Sequence, residues 1–586
     1  MSAAPSPSSL GKTAAAIAAV LLSVLVLYVF LPTLAQGWAP LDDDFNFLAN
    51  PHYRGFSAEN LRWMWTARLG GHYIPLSWMS LAADHELSGM APRGYHRTNL
   101  LLHLSNALLF FVLAWRLLGA AAEAASEPRA RLHARALAAF TAAAFFALHP
   151  LRVESVAWIT ERRDLLCGLF CLLSVHAYLS QAGEQGSRRQ IAFGLALSAF
   201  AAALLSKGIA IVLPLAFIAL DVVPLRRLDL DPRLWFGQAA RPVLWEKLPF
   251  VVLSAIFAAT SLWAAAPVLA AGGQADVEHR LLAAGFGLSF YLEKTLLPIA
   301  IPFQLPAIAP LSLATDPWVA LRGVAFLAVL GAAIAVWIRR RQPAIALALL
   351  VFTAFVLPVS GLLQAGPQLA AHRYTYLSCL PLALLLGAFV RDRTLRPRGR
   401  ERAALAALVL ILGVGLAALG RAQVAPWRDE VTFHRAAVEA APLSWAPVGA
   451  LARALVLRNE PVDALQVLRE GRQRMPGAIL LSYLEAMILA THAEGEIRDG
   501  SAALDLAGRA ARATGYRDPA GLLALAAAAA ETGDAATAER LLESALALTR
   551  GGVKPELSEA LATASRDLSR KGYIRFSSEE WRRFRL

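Results

Sequence analysis

The chain is poor in charge and almost free of cysteine. Asp, Glu, Lys and Arg make up 17% of its 586 residues, where an ordinary soluble domain carries about 25%. That shortage excludes a disordered chain, which stays unfolded through its polarity and charge. It also excludes an ordinary soluble enzyme. The three cysteines, Cys167, Cys171 and Cys379, sit inside apolar segments with no CxxC spacing. A disulfide scaffold and a cysteine metal site are excluded with them. Acidic residues are the scarcer sign, 43 against 56 Lys and Arg, for a net charge of +13. In a soluble protein this excess would suggest nucleic acid. No basic stripe with interleaved aromatics is present, so no nucleic-acid partner is expected.

What the chain has instead is apolar length. Hydrophobic residues reach 57%, and mean hydropathy is +0.49. Runs of about 20 apolar residues recur, as membrane-spanning helices require. The first, Thr13 to about Ala35, is too long for a signal-peptide core and ends without a clear cleavage site, so it reads as an uncleaved helix. Further spans are expected near 97–118, 136–149, 164–181, 190–206, 209–223, 248–270, 318–338, 343–360, 377–391 and 402–420, eleven in all. Basic segments alternate with them: Arg129, Arg131 and Arg135; Arg188 and Arg189; Arg226, Arg227, Arg233 and Arg241; Arg339–Arg341; and Arg391, Arg393, Arg396, Arg398, Arg400 and Arg402. The positive-inside rule puts all of them in the cytoplasm if the N-terminus is also inside. The segment 281–297, with Glu293 and Lys294, would break this parity if it spanned. It is expected as an interfacial or re-entrant helix. Segments 36–96, 150–163 and 361–376 are then external, the first long enough for short helices at headgroup level.

From about Arg421 the composition turns Ala-, Leu- and Arg-rich, and helix pairs appear. Asp518–Thr549 reads as two amphipathic helices joined at Gly533–Asp534. The spacing resembles tetratricopeptide repeats of about 34 residues. A generic helical bundle would fit as well, and either is an interaction surface.

Four constellations carry chemistry. Asp42, Asp43 and Asp44 follow the first helix. They mark the end of a span, or they supply a poised carboxylate base, since adjacent acids repel. The segment Gly71 to Asn106 holds His72, Asp84, His85 and Glu86; in it His96, Asn99, His103 and Asn106 recur at three- and four-residue spacing and give one helix a polar face within an apolar run, which at membrane depth points to a bundle interior or a cavity. The seven residues between His96 and His103 span about 10.5 Å of helix, so no metal is expected there. Between two spans stand Arg152, Glu154, Glu161, Arg162, Arg163 and Asp164. External arginines violate the charge rule unless they hold an anion or one another's neighbouring acids. His372, Arg373 and Tyr374 begin a later helix on the same side, with Lys207 and Lys294 as further cations. An acidic base facing cations suits transfer from a lipid-linked phosphate to a hydroxyl.

These segments resemble one family. "DDDFNFLANP" (42–51), "YIPLSWMSLAAD" (73–84), "GYHRTNLLLHLSNALLFF" (94–111), "FALHPLRVESVAWITERRDLL" (146–166), "EKLPFVVLSA" (246–255), "GLLQAGPQLAAHRYTYL" (361–377) and "PWRDEVTFHRAAVEAAP" (426–442) are together similar to bacterial polytopic proteins with C-terminal tetratricopeptide repeats. Those are related to the transmembrane and TPR repeat-containing O-mannosyltransferases, of the GT-C glycosyltransferase class. The resemblance implies eleven spans in a bacterial inner membrane, with the N-terminus cytoplasmic and the repeats outside. It maps the catalytic acidic pair onto Asp42 and Asp43, with Asp44 a third acid, and an Arg-Tyr pair onto Arg373 and Tyr374. His372 and Gly208 depart from the pattern, standing where an acid and a Pro or Glu are expected.

The expectation is therefore an all-α polytopic protein. Residues 1–420 form a GT-C type membrane domain with interfacial helices in loop 36–96, and 421–586 a repeat domain outside the cytoplasm. The expected reaction moves a mannose-like sugar from a polyprenyl-phosphate donor to a protein Ser/Thr hydroxyl or another external acceptor, without a divalent metal. Asp42 or Asp43 is the base. Arg162, Arg163, Arg373 and Tyr374 hold the donor phosphate. Asp44, His72, Asp84, His96, Glu161, Lys207 and His372 are further cavity candidates, and the repeats present the acceptor protein. A scaffold that assembles an envelope complex and an oligosaccharide ligase remain as alternatives.

Overall fold

The computed structural model describes residues 7–120, 128–271, 276–303, 305–306, 311–362, 368–395, 399–549 and 555–583. Arg396 and Arg398 of the basic series lie outside the described residues. The described chain is nearly all helix; its single sheet pairs Leu305–Pro306 antiparallel with Gln368–Ala370. It separates into two compact units, Met1–Arg428 and Asp429–Leu586.

Among the described residues of the first unit, seven helices are long and apolar enough to cross a membrane, or nine if each of two bent pairs is one span. Eleven spans are thus not confirmed. The seven correspond to the runs expected at 13–35, 97–118, 164–181, 190–206, 248–270, 318–338 and 402–420. The runs at 136–149 and 377–391 belong to pairs bent by 51° and 57°. The runs at 209–223 and 343–360 form shorter apolar helices, Gly208–Val222 and Ala344–Val359. The bends have a local cause. Pro150 begins a new turn immediately after Pro128–Ala147, and Pro381 stands in the first turn of Leu380–Leu395; proline suits a helix start because no amide hydrogen is needed there. Residues 281–296 lie within one unbroken helix, Val277–Leu296, capped by Asp276 and packed along Pro317–Arg340.

The centre of this unit is built on small residues. Ala138, Ala139, Ala142, Ala143, Ala144 and Ala147 of Pro128–Ala147 are all buried. Small faces let helices approach closely, which is what holds bundles together where lipid weakens the hydrophobic drive. A β-carbon at Gly387 would lie 2.8 Å from the Ala138 carbonyl oxygen. Loop 36–96 folds into short helices, among them Ala58–Thr66 and Pro75–Ser88. They enclose an aromatic core of Phe47, Tyr53, Trp78 and Tyr95 with Trp38 and Trp63 against it.

The second unit is a run of helices, each packed on the next. Aspartates start several of them: the Asp429, Asp499 and Asp518 side chains accept from the first-turn amides, a cap typically worth about 1 kcal/mol. Gly533, at φ +89°, makes the reversal between Pro519–Glu531 and Ala535–Thr549.

Candidate active site

Five chain ends converge at one end of the first unit. They are the segment after Pro7–Phe30, the turn Pro150–Glu161, the start of Arg162–Gln181, the break at Lys207 after Gly186–Ser206, and the turn His372–Tyr374. Asp43 fastens the first of these to the second. It is fully buried, and its carboxylate accepts from Ala39 N (2.8 Å), Trp158 Nε1 (3.0 Å), Thr160 N (3.2 Å) and Thr160 Oγ1 (2.7 Å). Burial pushes its carboxyl up to about 7, although the Thr160 hydroxyl and the other donors pull it back. Three of these four donors meet one oxygen, Oδ1, so Asp43 ties the segment after the first helix to the turn at Trp158–Thr160.

Asp42 is its opposite. Its half-buried carboxylate makes no hydrogen bond or ion pair with any described residue. It lines a cavity of about 40 Å³ together with Phe45, Leu69, His72, Trp78 and Arg163. Burial raises its pKa above the ordinary carboxylate value; Arg163 lowers it, Glu161 raises it and Arg373 lowers it. Asp44 opens the helical turn Asp44–Leu48 and does not line the cavity.

Arg163 is the visible face of a larger cluster. Its Nη2 and Nε lie 2.6 and 3.2 Å from the Glu161 carboxylate. Lys207 Nζ donates to Glu161 at 3.0 Å and to Asp164 at 2.6 Å. Arg373 Nε stands 3.2 Å from Glu161 Oε1, and its guanidinium is paired with Glu154. Tyr374 stays beside it, its hydroxyl accepting from Arg373 Nη2 at 3.2 Å. Three cations therefore meet three acids, with Glu161, wholly buried, touching all three cations. One further arginine, Arg152, is also fully buried, yet its side chain donates to Thr375 Oγ1, at 2.6 Å, and has no carboxylate partner among the described residues.

Arg162 is engaged away from the cavity. It is fully buried and turns four of its five N–H groups to Asp84 (2.6 Å), Ser80 Oγ (2.9 Å), the Tyr95 carbonyl (2.8 Å) and Asn99 Oδ1. It locks Pro75–Ser88 and Pro92–Ala120 to the start of Arg162–Gln181. Asp84 is tied up in the same lock, also accepting from Thr98. Neither it nor His96, whose Nε2 faces the Gly37 carbonyl at 3.1 Å, lines the cavity. His372 is buried and likewise apart from the cavity lining. No group of three or more His, Cys, Asp or Glu among the described residues could hold a metal ion.

Trp158 and Thr160, which hold Asp43, carry no signal in the sequence. Glu154 and Asp164 do, since both stand within the same charged stretch as Arg163.

The fold and this site define an all-α, multi-pass membrane protein with a charged, half-enclosed site at one end of its helices. Its sequence is similar to proteins named as O-mannosyl-transferases. It is 38% identical over 120 residues to human protein O-mannosyl-transferase TMTC4, covering 20% of this chain and 16% of that protein. It is 32% identical over 215 residues to Drosophila melanogaster Tmtc2, covering 34% of this chain and 21% of the relative. The chain thus spans about a fifth or less of the length of these curated relatives. No protein-family model and no solved structure matches it.

Proposed function

We propose that the protein is a membrane glycosyltransferase of the GT-C kind, moving a mannose-like sugar from a polyprenyl phosphate to a hydroxyl of an acceptor protein. The observation that carries this reading is the unpaired Asp42 carboxylate facing Arg163 across a cavity, with Lys207 and Arg373 gathered behind. Asp42 takes the proton as the acceptor oxygen attacks the anomeric carbon. The bond from that carbon to the phosphate oxygen breaks, and the anionic phosphate leaves onto Arg163, Lys207 and Arg373 with inversion at carbon. Charge-assisted bonds of this kind stabilise a leaving phosphate more than the intact ester. Arg152 adds a positive charge that no carboxylate offsets, which favours an anion nearby.

A lipid carrier for the phosphate is supported by an apolar cleft of about 320 Å³. The elements that carry the cations also wall it: Cys171 and Leu172 follow Arg163, Leu213 and Ala216 follow Lys207, and Leu377 and Leu380 follow Arg373. The cavity beside Asp42 has room for a few waters and not for a hexose. Binding therefore requires the rim Leu69–His72 to withdraw, and Gly70 and Gly71 at φ +60° and +78° supply its turn. In this reading the site faces the outside of a bacterial inner membrane with the N-terminus inside, and the helical unit 429–586, read as TPR-like repeats, presents the acceptor.

The test is transfer by purified full-length protein from polyprenyl-phosphate mannose to a Ser/Thr-rich peptide, detected as a mass increment. Transfer that disappears in Asp42→Asn supports the reading. A protein that assembles an envelope complex without catalysis would show no transfer in either form.

A further inference from the structure

Three cations lie within reach of the site, yet the carboxylate that lines the cavity is paired with none of them. Arg163, the cation that shares the cavity with Asp42, turns two of its nitrogens to Glu161, at 2.6 and 3.2 Å. Lys207 and Arg373 converge on the same carboxylate, at 3.0 and 3.2 Å. Each has a second acid as well, Asp164 for Lys207 and Glu154 for Arg373. Only Glu161 is common to all three, and it is the most enclosed of the three acids.

We propose that Glu161 is a positioning residue, which draws Arg163, Lys207 and Arg373 onto one buried carboxylate and so keeps Asp42 unpaired and able to accept a proton. The inference rests on the functional reading above and adds the device that lets a base and a phosphate cradle coexist. Without it, the Arg163 guanidinium is released toward the cavity whose wall it shares with Asp42. A base in an ion pair is a poor base, because opposite charge within about 4–6 Å lowers its affinity for the proton. The groups facing Asp42 are Arg163 and Glu161 from the turn Trp158–Arg163, Arg373 beside them and His72 on the rim opposite; Asp43 and Asp44 adjoin it along the chain. Among the groups that set the acidity of Asp42, Glu161 opposes both arginines.

Carbodiimide labelling of full-length protein in detergent tests this without any substrate, because dicyclohexylcarbodiimide adds only to a protonated carboxyl. Labelling of Asp42, followed by peptide mass, is expected to have a midpoint above the ordinary carboxylate value of about 3.9. At pH 6, Glu161→Gln is expected to label Asp42 roughly tenfold more slowly, as for a fall of about one pKa unit. Glu161→Asp, which keeps the charge, is expected to restore most of the rate. An unchanged rate in Glu161→Gln overturns the inference. If that variant does not fold, the wild-type midpoint decides: a value at or below about 3.9 means that Asp42 is already paired, and the proposal fails. The same preparations are assayed for transfer from polyprenyl-phosphate mannose. In Glu161→Gln the acid limb of kcat/KM against pH is expected to move to lower pH while the plateau falls, and Glu161→Asp to recover it. No transfer by wild type, with labelling as expected, overturns glycosyl transfer but not the pairing of Glu161. Normal labelling differences with an unmoved pH profile overturn the positioning role.

Discussion

Besides the Arg162–Asp84 pair, the described residues of the first unit hold two buried networks of several ion pairs, and the cavity with Asp42 adjoins one of them. They lie near the two ends of the same helix, Arg162–Gln181, about 22 Å apart at 1.5 Å per residue. At the far end Asp221, fully buried, binds Lys247 Nζ at 2.7 Å, Tyr178 OH at 2.7 Å and Arg227 at 3.3 Å. Glu246 pairs there with Arg189 and Arg227. Each acid in that cluster is paired, and the result is a clamp that fixes the segment 223–247 to the helices. At the near end Glu154, Glu161 and Asp164 are paired in the same way, but Asp42 is not. Buried charge by itself marks nothing about chemistry. An acid left unpaired beside a pairing-rich cluster, on the wall of a cavity, does.

The largest expected effect separates the two ends at once. Asp42→Asn is expected to lower turnover by about 10²–10⁴-fold, the usual worth of a general base, with the melting temperature close to wild type. A fully active Asp42→Asn would make the near cluster as structural as the far one. Next comes Arg373→Ala. Losing a charge-assisted bond of about 1.5–3 kcal/mol is expected to weaken polyprenyl-phosphate binding by roughly 10- to 150-fold, read by equilibrium binding of labelled donor. Unaltered binding would leave Arg373 as a partner of Glu154 and Glu161 only. At the far end, Asp221→Asn breaks a buried pair, which costs about 3–5 kcal/mol. It is expected to lower the melting temperature in detergent sharply while turnover per folded molecule holds. Loss of turnover at full stability would erase the contrast between the ends.

The smallest effect concerns Asp43 and pH. Its carboxyl is held at about 7 in the folded protein, against about 3.9 unfolded. A raised folded value means that the folded state binds the extra proton. The stability it brings is complete below about pH 4 and is lost as pH rises through about 7. Asp43→Asn is expected to flatten the fall in melting temperature between pH 5 and 8, with a modest loss at low pH because an amide nitrogen would face the Ala39 amide. An equally steep pH dependence in that variant would show that Asp43 does not titrate in this range.

The helical class, the membrane runs and the change of composition near Arg421 were legible in the sequence because they depend on local quantities. Apolar length, loop charge and aspartate or glycine at helix ends act within a few residues. So were the stretches that hold the site, since Asp42, Arg163, Lys207 and Arg373 all come from segments whose charge is out of place among apolar runs. What each charge does was not legible. Asp42 and Asp43 are identical neighbours, as are Arg162 and Arg163, and in each pair one member is used up inside the protein while the other faces the cavity. The successive residues of a helical turn point about 100° apart, so one is aimed at Trp158 and Thr160, or at Asp84 and Asn99, and the next at open space. Those partners arrive from segments 63 to 117 residues away. Sequence alone determined that this end of the protein carries acids and cations at helix ends; only the tertiary structure decided which acid is left unpaired, because pairing depends on distances of about 3 Å between groups that the chain itself keeps far apart.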